Sequence, residues 1–141
     1  MDFLRHLAPF YNIFIFTASS YAYASAILNF LDPTSCLIQG FLSRNNCLQT
    51  KNGFFIKDLR IIKNRELKDI LIVDNLAHSF GFQIENGVPI LEWHNEETDK
   101  ELYYLTNYLK QAFEYDDVRV FNRERLKLME LARMRVEDLW I

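Results

Sequence analysis

The chain has 141 residues, the length of a single domain. Half of its residues are apolar and 15% are aromatic, which excludes a disordered composition. Its 16 Lys and Arg against 19 Asp and Glu, a net charge of −3, argue against a nucleic-acid partner held by bulk electrostatics, and the lack of any run of about 18 apolar residues argues against a membrane-spanning helix.

The opening stretch, MDFLRHLAPFYNIFIF, has few basic residues and no small-residue cleavage site after its apolar run, so it reads as structure and not as a targeting segment. Residues 3–11 suggest a short helix, with Asp2 placed to cap its first turn and Pro9 limiting or bending its end. Ile13-Phe14-Ile15-Phe16 is a continuous run of β-formers, the pattern of a strand buried on both faces in a parallel sheet. It stops at Thr17-Ala18-Ser19-Ser20, two residues of which suit a helix cap. A helix is predicted from about Tyr21 to Leu31, ending at Asp32-Pro33 because a residue before proline is pushed out of helical geometry.

From Cys36 to Lys57 the apolar pieces shorten to Leu37-Ile38, Phe41-Leu42 and Phe54-Phe55-Ile56. The separator Lys51-Asn52-Gly53 carries Asn-Gly, the strongest short hairpin signal, so a small antiparallel insertion is expected over about 34–57. Cys36 and Cys47 lie in no metal-ligand pattern and read as reduced thiols of an intracellular chain. Ile70-Leu71-Ile72-Val73 is a second buried parallel strand, ending at Asp74-Asn75, and Val88-Pro89-Ile90-Leu91 is a third. Thr98-Asp99-Lys100-Glu101 reads as a capping box opening a helix with Leu102, Leu105, Leu109 and Phe113 at helical spacing. Residues 121–141 are highly charged, with Leu128, Leu131, Ala132, Val136, Leu139 and Trp140 on one apolar stripe. That stripe suits docking on the chain's own domain, or on a protein partner.

In an α/β order the ligand crevice lies beyond the carboxyl ends of the strands. Two such ends carry polar groups. Thr17 offers a hydroxyl and free backbone N–H groups at a strand-to-helix junction, as an anion ligand or a plain helix cap. Asp74-Asn75 offers oxygen ligands suited to a hard cation such as Mg²⁺, or simply a turn. Lys57 follows the apolar piece 54–56 and brings a positive charge to the same crevice, or serves as a solvated hairpin charge. A hydroxyl, an ammonium and a carboxylate-amide pair suit a phosphate with Mg²⁺.

The segments FLRHLAPFYNIFIFTAS (3–19), YASAILNFLDP (23–33), SRNNC (43–47), IKDL (56–59), DILIVDN (69–75) and ENGVPILEW (85–93) together resemble the small C-terminal-domain phosphatase family. This family is also known by the nuclear-LIM-interactor-interacting-factor, or FCP1-homology, domain, and is a branch of the haloacid dehalogenase superfamily. The resemblance spans about residues 3–113. It implies an α/β fold with a doubly wound parallel sheet, a partial phosphatase domain over 1–114 with the antiparallel β insertion at 34–57, and a charged helical tail over 115–141. Residue by residue, it implies that Thr17 binds the phosphoryl oxygens and that Lys57 offsets charge on the nucleophile and phosphoryl group. Asn75 becomes the direct Mg²⁺ ligand, Asp74 the support for Lys57 and the metal waters, and Arg44 an arginine near the substrate phosphate.

The family's first motif, Asp-x-Asp-x-Thr/Val at the end of the central strand, has no counterpart here: no Asp-x-Asp occurs in the sequence. In the family its first Asp attacks phosphorus to form an aspartyl-phosphate, and its second acts as general acid and base. The expectation is a sheet missing that central first strand, and hence a chain inactive as written, a fragment of an enzyme. Leu76 and His78 stand where the family has small or hydroxyl residues, which bears on substrate choice. The resemblance implies a Mg²⁺-dependent phosphatase acting on phosphoserine or phosphothreonine in proteins of the nucleus or cytoplasm. The alternative is a non-catalytic scaffold of the same fold, such as a relative of a mitochondrial inner-membrane presequence-import receptor.

Overall fold

The computed structural model describes residues 2–92 and 98–126. Its order is helix α1 (Asp2–Leu7), strand β1 (Ile13–Phe16), helix α2 (Tyr21–Leu31), strands β2 (Ile38–Leu42), β3 (Leu48–Gln49), β4 (Phe55–Ile56), β5 (Ile72–Asp74) and β6 (Gly87–Pro89), then helices α3 (Glu101–Phe113) and α4 (Val118–Leu126). Short 3-10 turns link the strands, among them Ala77–Phe80 after β5. The class is mixed α/β, consistent with a haloacid-dehalogenase-like fold.

The sheet is less continuous than expected. Among the described residues there are three two-stranded sheets: β1 with β2, parallel; β3 with β4, antiparallel; and β5 with β6, parallel. The insertion is therefore only partly antiparallel. Leu37-Ile38 and Phe41-Leu42 fuse into one strand that runs parallel to β1, with Phe14 opposite Gly40 and Phe16 opposite Leu42. The cause is Asp32 at the end of α2, whose carboxylate accepts from the N–H groups of Cys36 (3.1 Å), Leu37 (2.9 Å) and Ile38 (2.8 Å). Those bonds pin the start of β2 beside the end of α2, so the chain re-enters the sheet in the direction of β1. They also hold the Asp32 carboxyl below its ordinary range, the Ile38 bond foremost. The hairpin signal holds for its own segment: Leu48 pairs with Ile56, and Gly53 in the turn takes a φ of 84°, open to glycine without strain.

Other boundaries also shift. The first helix stops at Leu7, ahead of Pro9, and Asp2 is its first helical residue. β1 is not buried on both faces, since Phe14 is 55% exposed. α2 keeps its expected bounds, with the Ser20 hydroxyl accepting from Tyr23 N–H at 3.3 Å. No box forms between Thr98 and Glu101; Asp99 Oδ1 accepts from Glu101 N–H at 2.8 Å, so α3 begins three residues later than Thr98. Leu105 and Leu109 are buried as expected, whereas Leu102 and Phe113 are about half exposed and Ala112 takes the buried place. Of the expected tail helix, α4 covers Val118–Leu126; the apolar stripe from Leu128 to Trp140 and the Trp93 position lie outside the described residues.

Two apolar clusters hold these pieces. Leu7, Val88, Leu105 and Leu109 gather Ile13, Leu71 and Val73 about them, so β1, β5, α1 and α3 share one core. Leu59, Ile70, Ile72 and Phe80 form the second, beneath the turn that follows β5. α4 is fixed by buried Asn122, which accepts from Tyr108 Oη–H at 2.6 Å and donates to the Glu85 carbonyl at 2.8 Å.

Candidate functional site

β1 delivers Thr17 to a strand end, where its N–H donates to the Leu42 carbonyl of β2 (2.9 Å) and its hydroxyl accepts from Ser19 N–H (3.1 Å). Thr17 is thus half-buried and forms a tight turn of its own, while Ser20 is the residue that caps α2. β2 returns the chain to the same place. After it, Arg44 N–H donates to the Ser19 carbonyl (2.9 Å) and Arg44 Nε–H to the Ala18 carbonyl (2.8 Å). The guanidinium also lies over the Phe55 ring, 5.6 Å from its centroid, leaving its outer edge in solvent. Thr17 and Arg44 are therefore one assembly, tied backbone to backbone.

Lys57 comes from the other side of the hairpin. It is buried, and its ammonium donates to Asp74 Oδ2 at 2.5 Å while lying 6.0 Å from the Phe16 ring centroid. Asp74, at the end of β5, is buried too, and its Oδ1 accepts from Leu76 N–H at 2.9 Å. A lysine and a carboxylate each stripped of water are stable only as a pair, and a four-carbon stem reaches that partner only if the hairpin lies against β5. The hairpin does so: Lys57 N–H donates to the Ser79 carbonyl at 2.7 Å, and Phe54 stacks on His78 with centroids 4.8 Å apart.

Cys47 joins the two halves. Its thiol donates to the Thr17 and Ser43 carbonyls, each at 3.8 Å, and it lies within the fields of Lys57, Arg44 and Asp74. Burial pushes the thiol above its ordinary value, against the downward pull of Lys57 and Arg44. The segment SRNNC carries Cys47 close to Arg44, but the sequence assigned the thiol no place in the crevice. The same is true of Asp58 and Gln83, which lie behind Lys57; the one available signal was that Asp58 adjoins Lys57 in the chain.

Four of the five residues singled out in the sequence, Thr17, Arg44, Lys57 and Asp74, thus gather about Cys47. Asn75, the next residue, is exposed and makes no side-chain hydrogen bond among the described residues, which leaves its carbonyl oxygen free. Among the described residues no three His, Cys, Asp or Glu side chains converge on a common point. Asp74 and Asn75 are the oxygen donors the chain offers here. That chemistry fits a hard cation such as Mg²⁺, which takes one or two protein oxygens and completes its shell with water and phosphate. Charge points the same way: Lys57 and Arg44 less Asp74 leave one positive charge, short of what a phosphate dianion draws.

The NLI interacting factor-like phosphatase family matches residues 1–119. The CTD small phosphatase-like protein 2 of Dictyostelium discoideum is 39% identical over 92% of this chain and 22% of its own length. The human carboxy-terminal domain RNA polymerase II polypeptide A small phosphatase 1 is 32% identical over 83% of this chain and 44% of its own. The mitochondrial import inner membrane translocase subunit TIM50 of Candida glabrata is 35% identical over 71% of this chain and 20% of its own. The chain thus spans less than half the length of each of these relatives.

Proposed function

Since the chain belongs to the NLI interacting factor-like phosphatase family, we propose that it forms the phosphate-gripping part of a Mg²⁺-dependent protein serine/threonine phosphatase domain of the small C-terminal-domain type. The observation that carries this is the buried Lys57–Asp74 pair set beside the Thr17–Arg44 assembly. Thr17 holds phosphoryl oxygens through its hydroxyl. Arg44 and Lys57 offset their charge, while Asp74 keeps the Lys57 ammonium in place. Asn75, with Asp74 behind it, would hold Mg²⁺, which supplies charge neutralisation at the phosphoryl oxygens when bound.

The nucleophile and the acid/base are assigned to a strand bearing Asp-x-Asp that pairs between β1 and β5. Supporting this, β1 is bonded on one side to β2 and β5 on one side to β6, and both strands feed the same apolar core. Residues 1–141 by themselves, with no Asp-x-Asp, are proposed to be inactive. The substrate class is a phosphoserine or phosphothreonine protein of the nucleus or cytoplasm.

To test this, an apolar strand ending in Asp-x-Asp-x-Thr is fused ahead of Met1 and hydrolysis of an aryl phosphate is followed with and without Mg²⁺. Mg²⁺-dependent turnover is expected, lowered by about 10²-fold or more in Lys57→Ala and in Asn75→Ala, the scale of one lost transition-state contact. Rates indifferent to both substitutions would sink the site assignment. The likeness to the translocase subunit favours a second reading, a non-catalytic scaffold at the mitochondrial inner membrane. Saturable binding of a basic amphipathic presequence peptide, with no hydrolysis after fusion, would favour it.

A further inference from the structure

The stretch from Asp74 to Gln83 grips Lys57 at both ends. At the tip, Asp74 accepts from the ammonium; at the backbone, the Ser79 carbonyl accepts from Lys57 N–H. Gln83 extends the grip to the next two residues. It is buried, and it uses both ends of its amide: Oε1 accepts from Leu59 N–H at 3.0 Å, and Nε2 donates to Asp58 Oδ1 at 2.8 Å.

Asp58 is the carboxylate next to Lys57 in the chain. Its oxygens are engaged on Arg60 and Gln83. It accepts from Arg60 through the backbone N–H (3.0 Å), Nε (3.0 and 3.2 Å) and Nη2 (2.7 Å), and from Gln83. Arg60 is on the solvent side, with its side chain 66% exposed, whereas Gln83 is the buried arm of this bracket. Lysine's long stem makes its charge only as well placed as the backbone beneath it.

We infer that Gln83 is a positioning residue for Lys57: by clamping Leu59 N–H and bracing Asp58 from the buried side, it fixes the backbone from which the Lys57 ammonium reaches Asp74. The consequence for phosphate rests on the phosphatase reading above, but the positioning itself is measurable without turnover. The experiment is a ¹H–¹⁵N correlation of the lysine ammonium groups in the ¹⁵N-labelled chain, assigned with Lys57→Met. A resolved, slowly exchanging Lys57 ammonium is expected in the parent chain. Gln83→Met, which keeps the volume and removes both hydrogen bonds, should speed that exchange about tenfold or more, the factor corresponding to at least one lost hydrogen bond. Arg60→Ala, which opens only the solvent side, should change it less than twofold.

A folded Gln83→Met chain with a lowered melting temperature and an unchanged Lys57 signal would overturn the inference, because its role would then be packing alone. If Gln83→Met does not fold, Gln83→Glu, which keeps the acceptor for Leu59 and loses the donor to Asp58, is judged by the same signal. A fused enzyme without turnover but with a Lys57 signal that answers to Gln83 would remove the phosphatase reading and leave the positioning intact.

Discussion

At the scale of single residues, the chain spends its buried charge on fixing other charges. Asp58 shows this in its titration. The side-chain hydrogen bond from Arg60, aided by its backbone N–H and by Gln83, holds the carboxyl well below the ordinary 3.8. A group whose folded value is depressed gives its full contribution above the unfolded value and loses it as pH falls through the folded one. Asp58 therefore adds stability at neutral pH that is lost progressively as pH falls below about 4, and Asp32 and Asp117 follow the same sign. Urea unfolding of Asp58→Asn from pH 7 down to pH 2 should show a shallower acid dependence than the parent chain. Equal slopes would mean that the bracket around Asp58 is not formed in solution. The sequence made Lys57 and Asp74 legible, because each ends an apolar run. Asp58 and Gln83 were not legible, because their pairing joins positions 25 apart through a fold no local pattern encodes.

At the scale of elements, close approach decides which residues are tolerated. Gly87 opens β6 where the strand passes over Phe80, a fully buried ring of the second core cluster. A Cβ added at Gly87 would lie 2.2 Å from Cδ2 of that ring. Neither backbone nor ring can yield without disturbing β5 and β6, so Gly87→Ala should cost about 1–3 kcal/mol or more as overpacking. Thermal unfolding measures this directly, and restoring space with Phe80→Leu in the same chain should recover part of the loss. A Gly87→Ala chain as stable as the parent would show that β6 does not pass over Phe80 this closely. The sequence placed a strand here from its apolar residues, yet the requirement for a glycine is set by Phe80, seven positions earlier and on a different turn.

At the scale of the whole molecule, the parallel pairs β1–β2 and β5–β6 have open edges among the described residues, on either side of a shared core. Apolar side chains stay in solvent as well: Phe14 is 55% exposed on β1, and Tyr23, Ile27 and Phe30 at 61%, 41% and 84% line one face of α2. Unpaired strand edges and contiguous apolar surface promote association. Sedimentation velocity of the 141-residue chain should show association that grows with concentration, and fusion of an apolar strand ahead of Met1 should raise the monomer fraction. A chain that is monomeric at tens of micromolar and unaffected by the fusion would count against the open edges as the cause.

The sequence alone determined what depends on near neighbours. β1 from its β-forming run, α2 with its serine cap and the Asn-Gly hairpin were readable, because propensity, capping and turn chemistry act within a few residues; the motifs at Thr17, Lys57 and Asp74 were readable through their resemblance to the family. Tertiary structure decided what depends on distant partners. β2 became the parallel neighbour of β1, and not part of an antiparallel insertion, because the Asp32 carboxylate pins the start of β2 to the end of α2. Phe14 stayed exposed because burial on both faces needs neighbours on both sides. Cys47 came to lie among Thr17, Arg44, Lys57 and Asp74 because four separate strand ends meet at one place, and such convergence has no signature along the chain.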